Sequence, residues 1–418
     1  FIILVRILTK EEFGTWVLFV SISALVEMTR STFVQSAFVK FSVASDEKEY
    51  SEILSASFML NVFITSILIV LLVLLAGMLS NLWKTPELTN IMYVYTMVTF
   101  SYIFFTQFIV IMQAKFNFKG IFYSQLLRTG GFFLFVLICW LLQLKVFLIY
   151  LVFSQLVFAI LASGLSYLFV KKHFRLNLYP NWKWVKKLFR YSKYVFGTTM
   201  ISNISNSMDK FLLGGILNTA EVAIFNSATR ILNMIDVPLF TISTIVFPKS
   251  AERIKTEGPK AIKYLYERSI GLILAMAIPF TIVCFVFAEQ IILIIAGKDY
   301  LDAVPILRVV IFLSILKPFD RQSGSFLDVI GKPNINFITV LINFVLAVGI
   351  LYVMLTYLGV IGAAYGILLS TFIGIVVTHI ILYKLLNINP FNTFIYALHF
   401  YSEGMKQIKA RLTKNNGE

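Results

Sequence analysis

Ionisable side chains inside otherwise apolar segments are the residues of this chain that could do chemistry. Glu27, Arg128 and Asp236 each lie within a long apolar stretch. An unpaired charge at the centre of a bilayer costs about 2.5–3.5 kcal/mol even on the lenient insertion scale. Such residues therefore pair with one another or line a water-filled cavity. The chemistry that they predict is the binding of ions or charged groups within a membrane.

A second set of polar residues follows one face of a predicted helix. Thr199, Ser202, Asn206 and Asp209 recur at intervals of three or four residues, which places them on one side of a helix. Polar side chains on a membrane helix do not face lipid, because hydrocarbon offers them no hydrogen bonds. This polar stripe is therefore expected to face another helix or water.

Some of these charges allow a second interpretation. Glu27 and Arg30 are three residues apart and could form a local ion pair near the inner surface. Arg308 lies only a few residues into its segment, so its side chain could extend to the outer surface. Asp209 and Lys210 could neutralise each other, although neighbouring residues on a helix point about 100° apart.

Two further arginines favour a cavity more clearly. Arg128 lies well inside its apolar segment, too deep for its side chain to reach the surface easily. Arg230 shares a helix face with Asn233, and Asp236 follows a turn later.

The elements that position these residues are membrane helices. The chain has 418 residues, of which 59% are hydrophobic and 14% are charged, and its mean hydropathy is +0.85. A soluble domain carries about 25% charged residues, so we predict an all-α polytopic membrane protein. A net charge of +15 would suggest nucleic acid in a soluble protein. Here it indicates basic residues retained on the cytoplasmic side, with no nucleic-acid partner.

Twelve apolar segments are predicted, six on each side of a basic linker. The first is shorter than the roughly 20 residues that a spanning helix needs, so we expect part of it to lie outside this sequence. The segments lie at residues 1–8, 13–35, 53–79, 91–113, 121–142, 146–170, 194–217, 221–247, 270–296, 304–327, 335–358 and 361–386. The predicted organisation is an N-terminal six-helix bundle (1–170), a linker (171–193), a C-terminal six-helix bundle (194–386) and an amphipathic helix and tail (387–418).

The distribution of Lys and Arg predicts the orientation. With the linker in the cytoplasm, most of the 36 basic residues fall in inner segments and few in outer turns. Both ends are then cytoplasmic, and the linker contacts anionic lipid. Beyond residue 386 an apolar stripe predicts an interfacial helix; its members are Phe394, Leu398, Tyr401, Met405, Ile408 and Leu412.

The two halves are predicted to be homologous. Arg6–Trp16 resembles Gly215–Phe225 when the numbering is shifted by 209 residues. The same shift carries Glu27 onto Asp236. We therefore expect two bundles related by a pseudo-twofold axis, with these acids at corresponding places.

Motifs for cofactors and metals are missing from the sequence. It contains no GxGxxG, Walker A, HExxH or paired CxxC pattern. Cys139 and Cys284 lie in apolar runs and are expected to be inert core residues. We predict no cofactor and no metal. The outer loops are all short, which argues against an enzyme that polymerises or ligates glycans.

At this point the chain resembles a family, the bacterial polysaccharide flippases that move lipid-linked oligosaccharides (O-antigen and capsule repeat units) across the inner membrane. They belong to the larger group of multidrug and toxin extrusion (MATE) transporters and peptidoglycan-precursor flippases. The order and spacing of several motifs carry the resemblance: Arg6–Gly14, Asp209 followed by Glu221–Arg230, Ala296–Arg308, Gly331–Pro333 and Gly359–Ala364.

The resemblance implies two six-helix bundles around a cavity that opens alternately to each side. The substrate would be an undecaprenyl-pyrophosphate-linked repeat unit, and basic residues would meet its pyrophosphate. The resemblance also implies a monomer that works with a polysaccharide polymerase and a chain-length regulator. The cationic candidates are Arg6, Arg128, Arg230 and Arg308. The candidates for coupling to H⁺ or Na⁺ and for polar cavity contacts are Glu27, Asp209, Asp236, Ser202, Asn206 and Asn233.

A cation-coupled multidrug or metabolite exporter on the same fold is the alternative. Such an exporter favours an acidic, aromatic pocket for organic cations. The four arginines near or within the spans favour an anionic substrate instead.

Overall fold

The structure is a computed structural model in which every regular element of the described residues is a helix. Contacts divide the chain into two units, Phe1–Ala223 and Ile224–Glu418. The described residues are 1–42, 45–174, 176–177, 181–234, 236, 259–330 and 332–415.

The first unit is built from long helices joined by short turns. α4 packs between α3 and α7, and α2 packs along α8. A π-helical turn, Leu126–Gly130, joins α5 to α6. The helices are α1 (Leu4–Ile7), α2 (Lys10–Ser42), α3 (Glu47–Leu82), α4 (Pro86–Ala114), α5 (Phe118–Gln125), α6 (Gly131–Leu141), α7 (Leu148–Val170), α8 (Trp182–Ile216) and the first part of α9 (Thr219–Thr229).

Side chains next to the helix starts explain where these helices begin. Thr9 and Glu12 exchange hydrogen bonds between side chain and backbone, the capping-box arrangement that opens α2. Asp46 accepts a hydrogen bond from the Glu49 backbone N–H at 2.8 Å and opens α3. Asn117 does the same for α5 through the N–H of Gly120.

The start of α8 differs from the sequence-based expectation. The linker was predicted to run to Lys193, but α8 begins at Trp182. The cause is local, because Asn181 accepts a hydrogen bond from the Lys183 N–H at 3.0 Å and caps the helix. The second part of the basic linker therefore extends the seventh helix. The division of the chain at residues 170 and 194 into two bundles stays a prediction.

The second unit has its own core, centred on Tyr266, Ile270, Leu274 and Phe326. A 3₁₀ turn, Arg230–Leu232, follows α9, and a second one, Lys298–Tyr300, precedes α12. The helices are the second part of α9, α10 (Pro259–Val286), α11 (Ala288–Ile295), α12 (Ala303–Val310), α13 (Leu313–Val329), α14 (Pro333–Leu386) and α15 (Pro390–Asn415).

Gly359 breaks α14 into two helices. Its φ of +63° lies in the left-handed region that favours glycine. The break falls between the eleventh and twelfth predicted segments. Seven helices of the described residues are long and apolar enough to cross a membrane, with α14 counted once. The predicted segment 221–247 and Gly331 lie partly or wholly outside the described residues.

The C-terminal helix α15 packs on α10 through residues outside the predicted apolar stripe and through Tyr401 of the stripe, whose hydroxyl donates a hydrogen bond to the Ala275 carbonyl. Thr393 and Ala397 are fully buried, and a Cβ on Gly271 of α10 would lie 2.6 Å from Tyr396 Cβ. Glu267 accepts hydrogen bonds from the Asn389 backbone N–H and from Asn392 near the start of α15. Phe394 and Leu398 of the stripe are exposed, so this face is available to lipid. The side chains of Met405, Ile408 and Leu412 lie outside the described residues.

Candidate functional site

The central feature of the first unit is an ion pair between α2 and the π-helical turn. Arg128 Nη1 donates a hydrogen bond to Glu27 Oε1 at 3.0 Å and lies 3.0 Å from the Tyr102 hydroxyl. Arg128 Nε donates to Gln125 at 3.2 Å. The side chains of Arg128 and Glu27 are 21% and 39% exposed. The pair is thus partly accessible, and Tyr102 and Gln125 hold Arg128 in place.

A second arginine, Arg30, lies deeper in the same cluster. It is 1% exposed, and its Cζ atom lies 5.0 Å from the centre of the Tyr102 ring. Arg128 Cζ lies 5.4 Å from the same ring. One aromatic ring therefore contacts both cations, and aromatic faces attract guanidinium groups. We call Glu27, Arg30, Tyr102, Gln125 and Arg128 the N-unit charge cluster.

The π-helical turn explains how Arg128 reaches this cluster. π turns occur mostly as single wide turns inside α-helices, frequently at functional sites. Here the turn comprises Leu126–Gly130 and holds Arg128 at its centre. Gly131 follows directly, and a Cβ there would lie 2.2 Å from the Phe158 ring. This glycine lets α6 approach α7 closely just after the turn.

The second unit contains an ion pair of its own. Lys317 Nζ donates hydrogen bonds to both carboxylate oxygens of Asp236 at 3.1 Å. Both side chains are about one-third exposed. Asp236 is the residue that the sequence repeat matches to Glu27. In each unit, then, the matched acid binds a cation from another element.

The polar stripe on α8 carries the third acid. Lys210 Nζ lies 3.7 Å from Asp209 Oδ1, which is beyond hydrogen-bond distance, and donates to the Asn206 carbonyl at 3.2 Å. Asp209 Oδ1 is buried and has no hydrogen-bond partner among the described residues. Ser202 and Asn206 are exposed. The weak contact between neighbouring residues agrees with their divergent directions on the helix.

The remaining candidates are exposed and distributed over both units. Arg6 lies at the end of α1, and Arg230 opens the 3₁₀ turn that follows α9. Arg308, in the last turn of α12, has its Cζ atom 5.9 Å from the Phe285 ring centre. Asn233 follows the 3₁₀ turn. A common cavity for these arginines stays a prediction.

One interpretation offered by the sequence, an ion pair between Glu27 and Arg30, is wrong. The sequence also did not reveal some of the residues that contact the candidates. Glu27 does not form its ion pair with Arg30 but with Arg128, whose chain position is 101 residues away. Spacing along a helix cannot reveal a partner on another helix. The sequence did contain a signal for the ring partner, because Tyr95 and Tyr102 are seven residues apart on one face of α4. Both contact α2 or its charges: the Tyr95 hydroxyl donates to the Ser23 carbonyl at 3.4 Å.

A buried polar network in the second unit was also missed. The Tyr266 hydroxyl lies 2.9 Å from His379 Nε2 and 2.9 Å from Ser323 Oγ. These residues tie α10, α13 and α14 together. His379 has no potential metal ligand near it in the sequence, and its partner Tyr266 lies on another helix.

The helical architecture defines the class of protein, a polytopic helical membrane protein. An inward-facing MATE-family multidrug transporter of the MOP superfamily superposes with a TM-score of 0.78 and 17% identity, over 97% of this chain and 94% of that chain. The inward closed lipid II flippase MurJ superposes with a TM-score of 0.77 and 14% identity, over 95% and 86%. These likenesses show the fold. They confirm the predicted all-helical membrane fold of about twelve spans in two six-helix bundles.

The chain belongs to the polysaccharide biosynthesis protein family, whose model matches residues 3–305. The resemblance drawn from the sequence motifs is thereby confirmed.

Two curated relatives match parts of the chain. An uncharacterized membrane protein of Methanocaldococcus jannaschii is 28% identical over 155 residues, 37% of this chain and 31% of that protein. The probable low-salt glycan biosynthesis flippase Agl15 of Haloferax volcanii is 22% identical over 191 residues, 46% and 40% of the two chains. The chain thus spans less than half the length of each of these relatives.

Proposed function

We propose that this protein moves an undecaprenyl-pyrophosphate-linked oligosaccharide repeat unit from the inner to the outer leaflet of the cytoplasmic membrane by alternating access. The observation that carries the proposal is the accessible guanidinium of Arg128 inside a membrane helix of a polysaccharide-family transporter fold. We assign the protein a role in transport, as in the fold neighbours named above, rather than in catalysis.

The mechanism follows from the charge of the substrate headgroup. A pyrophosphate does not cross hydrocarbon bare, so the path must offer cations in place of water. Arg128 donates planar hydrogen bonds of the kind that suit phosphate oxygens. Arg6, Arg230 and Arg308 supply further cations along the path. The sugars remain in the aqueous cavity, where many weak hydrogen bonds hold them.

Direction would come from an ion that loads and unloads. The acids Glu27, Asp209 and Asp236 are candidates to take a proton or a sodium ion. The polar neighbours Ser202, Asn206 and Asn233 lie on the same elements and would line the path. Transport driven by substrate supply alone needs none of these acids to change its charge.

The proposed setting is a bacterial cytoplasmic membrane with both chain ends in the cytoplasm. The basic residues of the linker then contact anionic lipids, as positive residues retained inside do. The protein would act as a monomer and deliver its product to a polysaccharide polymerase and a chain-length regulator.

The second candidate is a cation-coupled multidrug or metabolite exporter. The TM-scores of 0.78 to a MATE transporter and 0.77 to MurJ support both candidates equally. The arginines favour the flippase, because an arginine-lined path repels organic cations and attracts phosphate groups.

Complementation of a flippase-deleted strain tests the proposal. Arg128→Ala and Arg230→Ala should each abolish surface glycan, and the Arg→Lys variants should retain part of it. A charge-assisted hydrogen bond contributes about 1.5–3 kcal/mol, which corresponds to roughly a ten- to hundredfold loss of transport.

Lys145→Met is the matched control, because Lys145 is an exposed cation in a turn of the same unit. It should complement like wild type. Membrane levels of every variant are measured by immunoblot. Wild-type glycan from both alanine variants at normal expression would contradict the cationic path.

A further inference from the structure

Arg30 is a buried cation with unmade hydrogen bonds. Its side chain is 1% exposed, and neither Nε nor Nη1 has a hydrogen-bond partner among the described residues. A buried charge that lacks hydrogen bonds is costly, so the retention of Arg30 needs an explanation. The contact that Arg30 does make is with the Tyr102 ring at 5.0 Å.

The N-unit charge cluster holds two guanidinium groups and one carboxylate. Glu27 is hydrogen-bonded to Arg128 at 3.0 Å, whereas it attracts Arg30 without forming an ion pair with it. The nearby phenols Tyr95 and Tyr102 bring no negative charge when protonated. The cluster therefore carries one positive charge in excess, and this charge is shared between an accessible arginine and a buried one.

Glu27 can reach either arginine. Glu27 and Arg30 are three residues apart on α2, a spacing that brings side chains together on one helix face. Arg128 approaches from the π-helical turn. The spacing of three residues puts Arg30 within reach of the Glu27 side chain, so the exchange inferred below is a side-chain movement.

Accessibility distinguishes the two cations. Arg128 is 21% exposed and Arg30 is 1% exposed. An anion entering the cluster can therefore bind Arg128 but not Arg30. An incoming anion competes with Glu27 for Arg128, because two anions that meet at one guanidinium repel each other.

We infer that Glu27 exchanges partners during substrate binding: a phosphate-type headgroup takes Arg128, and the Glu27 carboxylate moves to Arg30. This inference rests on the proposed function and adds to it a positioning role for Arg30. Before binding, Glu27 holds Arg128 in place and screens its charge. After binding, each guanidinium faces one anion, and the free Nε and Nη1 groups of Arg30 gain an acceptor.

The exchange predicts a specific dependence between two residues. Arg30 assists anion binding only by accepting Glu27, so its contribution should vanish when Glu27 is neutral. Residues that act through one shared contact show such non-additivity. A purely structural Arg30 would affect binding equally with and without Glu27.

Equilibrium binding to the purified full chain in detergent tests this dependence, with farnesyl pyrophosphate and inorganic pyrophosphate as probes. Arg30→Met should weaken farnesyl pyrophosphate binding roughly tenfold or more, as expected from the loss of a charge-assisted contact. Glu27→Gln should bind at least as tightly as wild type, because Arg128 is then free. In the Glu27→Gln background, Arg30→Met should change the affinity by less than about twofold.

Arg30→Lys serves as the conservative variant, and it should regain part of the affinity because a lysine can also pair with Glu27. Lys145→Met should bind like wild type. Thermal unfolding of each variant verifies the fold. If Arg30→Met is not stable enough to purify, Arg30→Lys and Arg30→Gln are compared in both Glu27 backgrounds. Equal losses in the two backgrounds, or weaker binding by Glu27→Gln, would overturn the exchange.

The two probes separate recognition of the headgroup from recognition of the whole lipid. If Arg30→Met weakens the binding of both probes equally, the exchange is a response to the pyrophosphate. If it weakens the binding of farnesyl pyrophosphate alone, the exchange requires a prenyl-linked phosphate. If neither probe binds the wild-type protein, the exchange is refuted, whatever the outcome of complementation. Failure of the proposed function gives a different result. Probe binding would then depend on Arg30 as predicted, but the wild-type protein would not restore surface glycan.

Discussion

Three acids in the membrane helices differ in how firmly a cation holds them. Glu27 and Asp236 accept hydrogen bonds from Arg128 and Lys317 at 3.0 and 3.1 Å. Asp209, in contrast, lies 3.7 Å from its neighbouring lysine and keeps a buried oxygen without a hydrogen bond among the described residues. A carboxylate that already pairs with a cation gains little from a second one. Asp209 is therefore our candidate among these acids for binding a coupling ion.

Asp209→Asn should accordingly change the ion dependence of transport more than its maximal rate. The expected result is flipping in proteoliposomes that no longer responds to an imposed sodium or proton gradient. Asp236→Asn is the comparison. It removes the carboxylate that accepts two hydrogen bonds from Lys317 and should cost about 1–3 kcal/mol of stability, measured by thermal unfolding. Gradient dependence as in wild type for Asp209→Asn would remove this residue from the coupling step.

The residues of the candidate site were more predictable than their contacts. Charges within apolar segments identified Glu27, Arg128 and Asp236, because burial in a membrane is costly for any charge. Their partners came from other helices, Arg128 for Glu27 and Lys317 for Asp236. Helical periodicity describes one helix at a time, and for this reason it offered Arg30 as a possible partner of Glu27. Among the described residues, Arg30 Nε and Nη1 have no hydrogen-bond partner, which spacing along one helix could not reveal.

At the scale of elements, irregular turns position the charged side chains. The π-helical turn Leu126–Gly130 carries Arg128, and the 3₁₀ turn after α9 carries Arg230 and precedes Asp236. Gly130 ends the first turn and Gly131 follows it, but no residue type specifies a π turn. Helix starts were more readable, since Thr9, Asp46 and Asn117 are standard capping residues.

α2 and the start of α9 are in close contact. A Cβ on Gly14 of α2 would lie 1.8 Å from the carbonyl oxygen of Thr219, at the start of α9. The contact involves backbone atoms, so a side-chain rotation cannot relieve it. Gly14 is thus required for α2 to approach the turn between α8 and α9.

Gly14→Ala should force these elements apart and destabilise the protein by about 1–3 kcal/mol, the usual cost of overpacking. Gly77→Ala is the matched control in α3, because a Cβ there meets no atom within 4 Å. The control should be neutral or more stable by about 0.5–1 kcal/mol, since alanine favours a helix. Thermal unfolding in detergent, followed by tryptophan fluorescence, compares the two. Equal midpoints would show that the contact at Thr219 is easily relieved.

For the whole molecule, composition was enough to predict the class, and the apolar segments were enough to predict the number of spans. Apolar segments of sufficient length have few structural alternatives in a membrane, because only helices and closed barrels satisfy every backbone group there. Segment boundaries were less predictable. α8 starts at Trp182 because Asn181 caps it, and α15 packs on α10 through Thr393, Tyr396 and Ala397, which lie outside the apolar stripe, as well as through Tyr401.

Orientation is the whole-molecule prediction that experiment can decide most directly. The excess of Lys and Arg in the linker places it in the cytoplasm, so the start of α8 is inside and the turn before α12 is outside. Lys183 and Lys298 are exposed at these two places. The native cysteines Cys139 and Cys284 are buried and free, and serine replaces both in the background used. A membrane-impermeant maleimide should then label Lys298→Cys in intact cells and leave Lys183→Cys unlabelled until the membrane is permeabilised. The reverse pattern would invert the topology and would place the linker away from the anionic lipids of the inner leaflet.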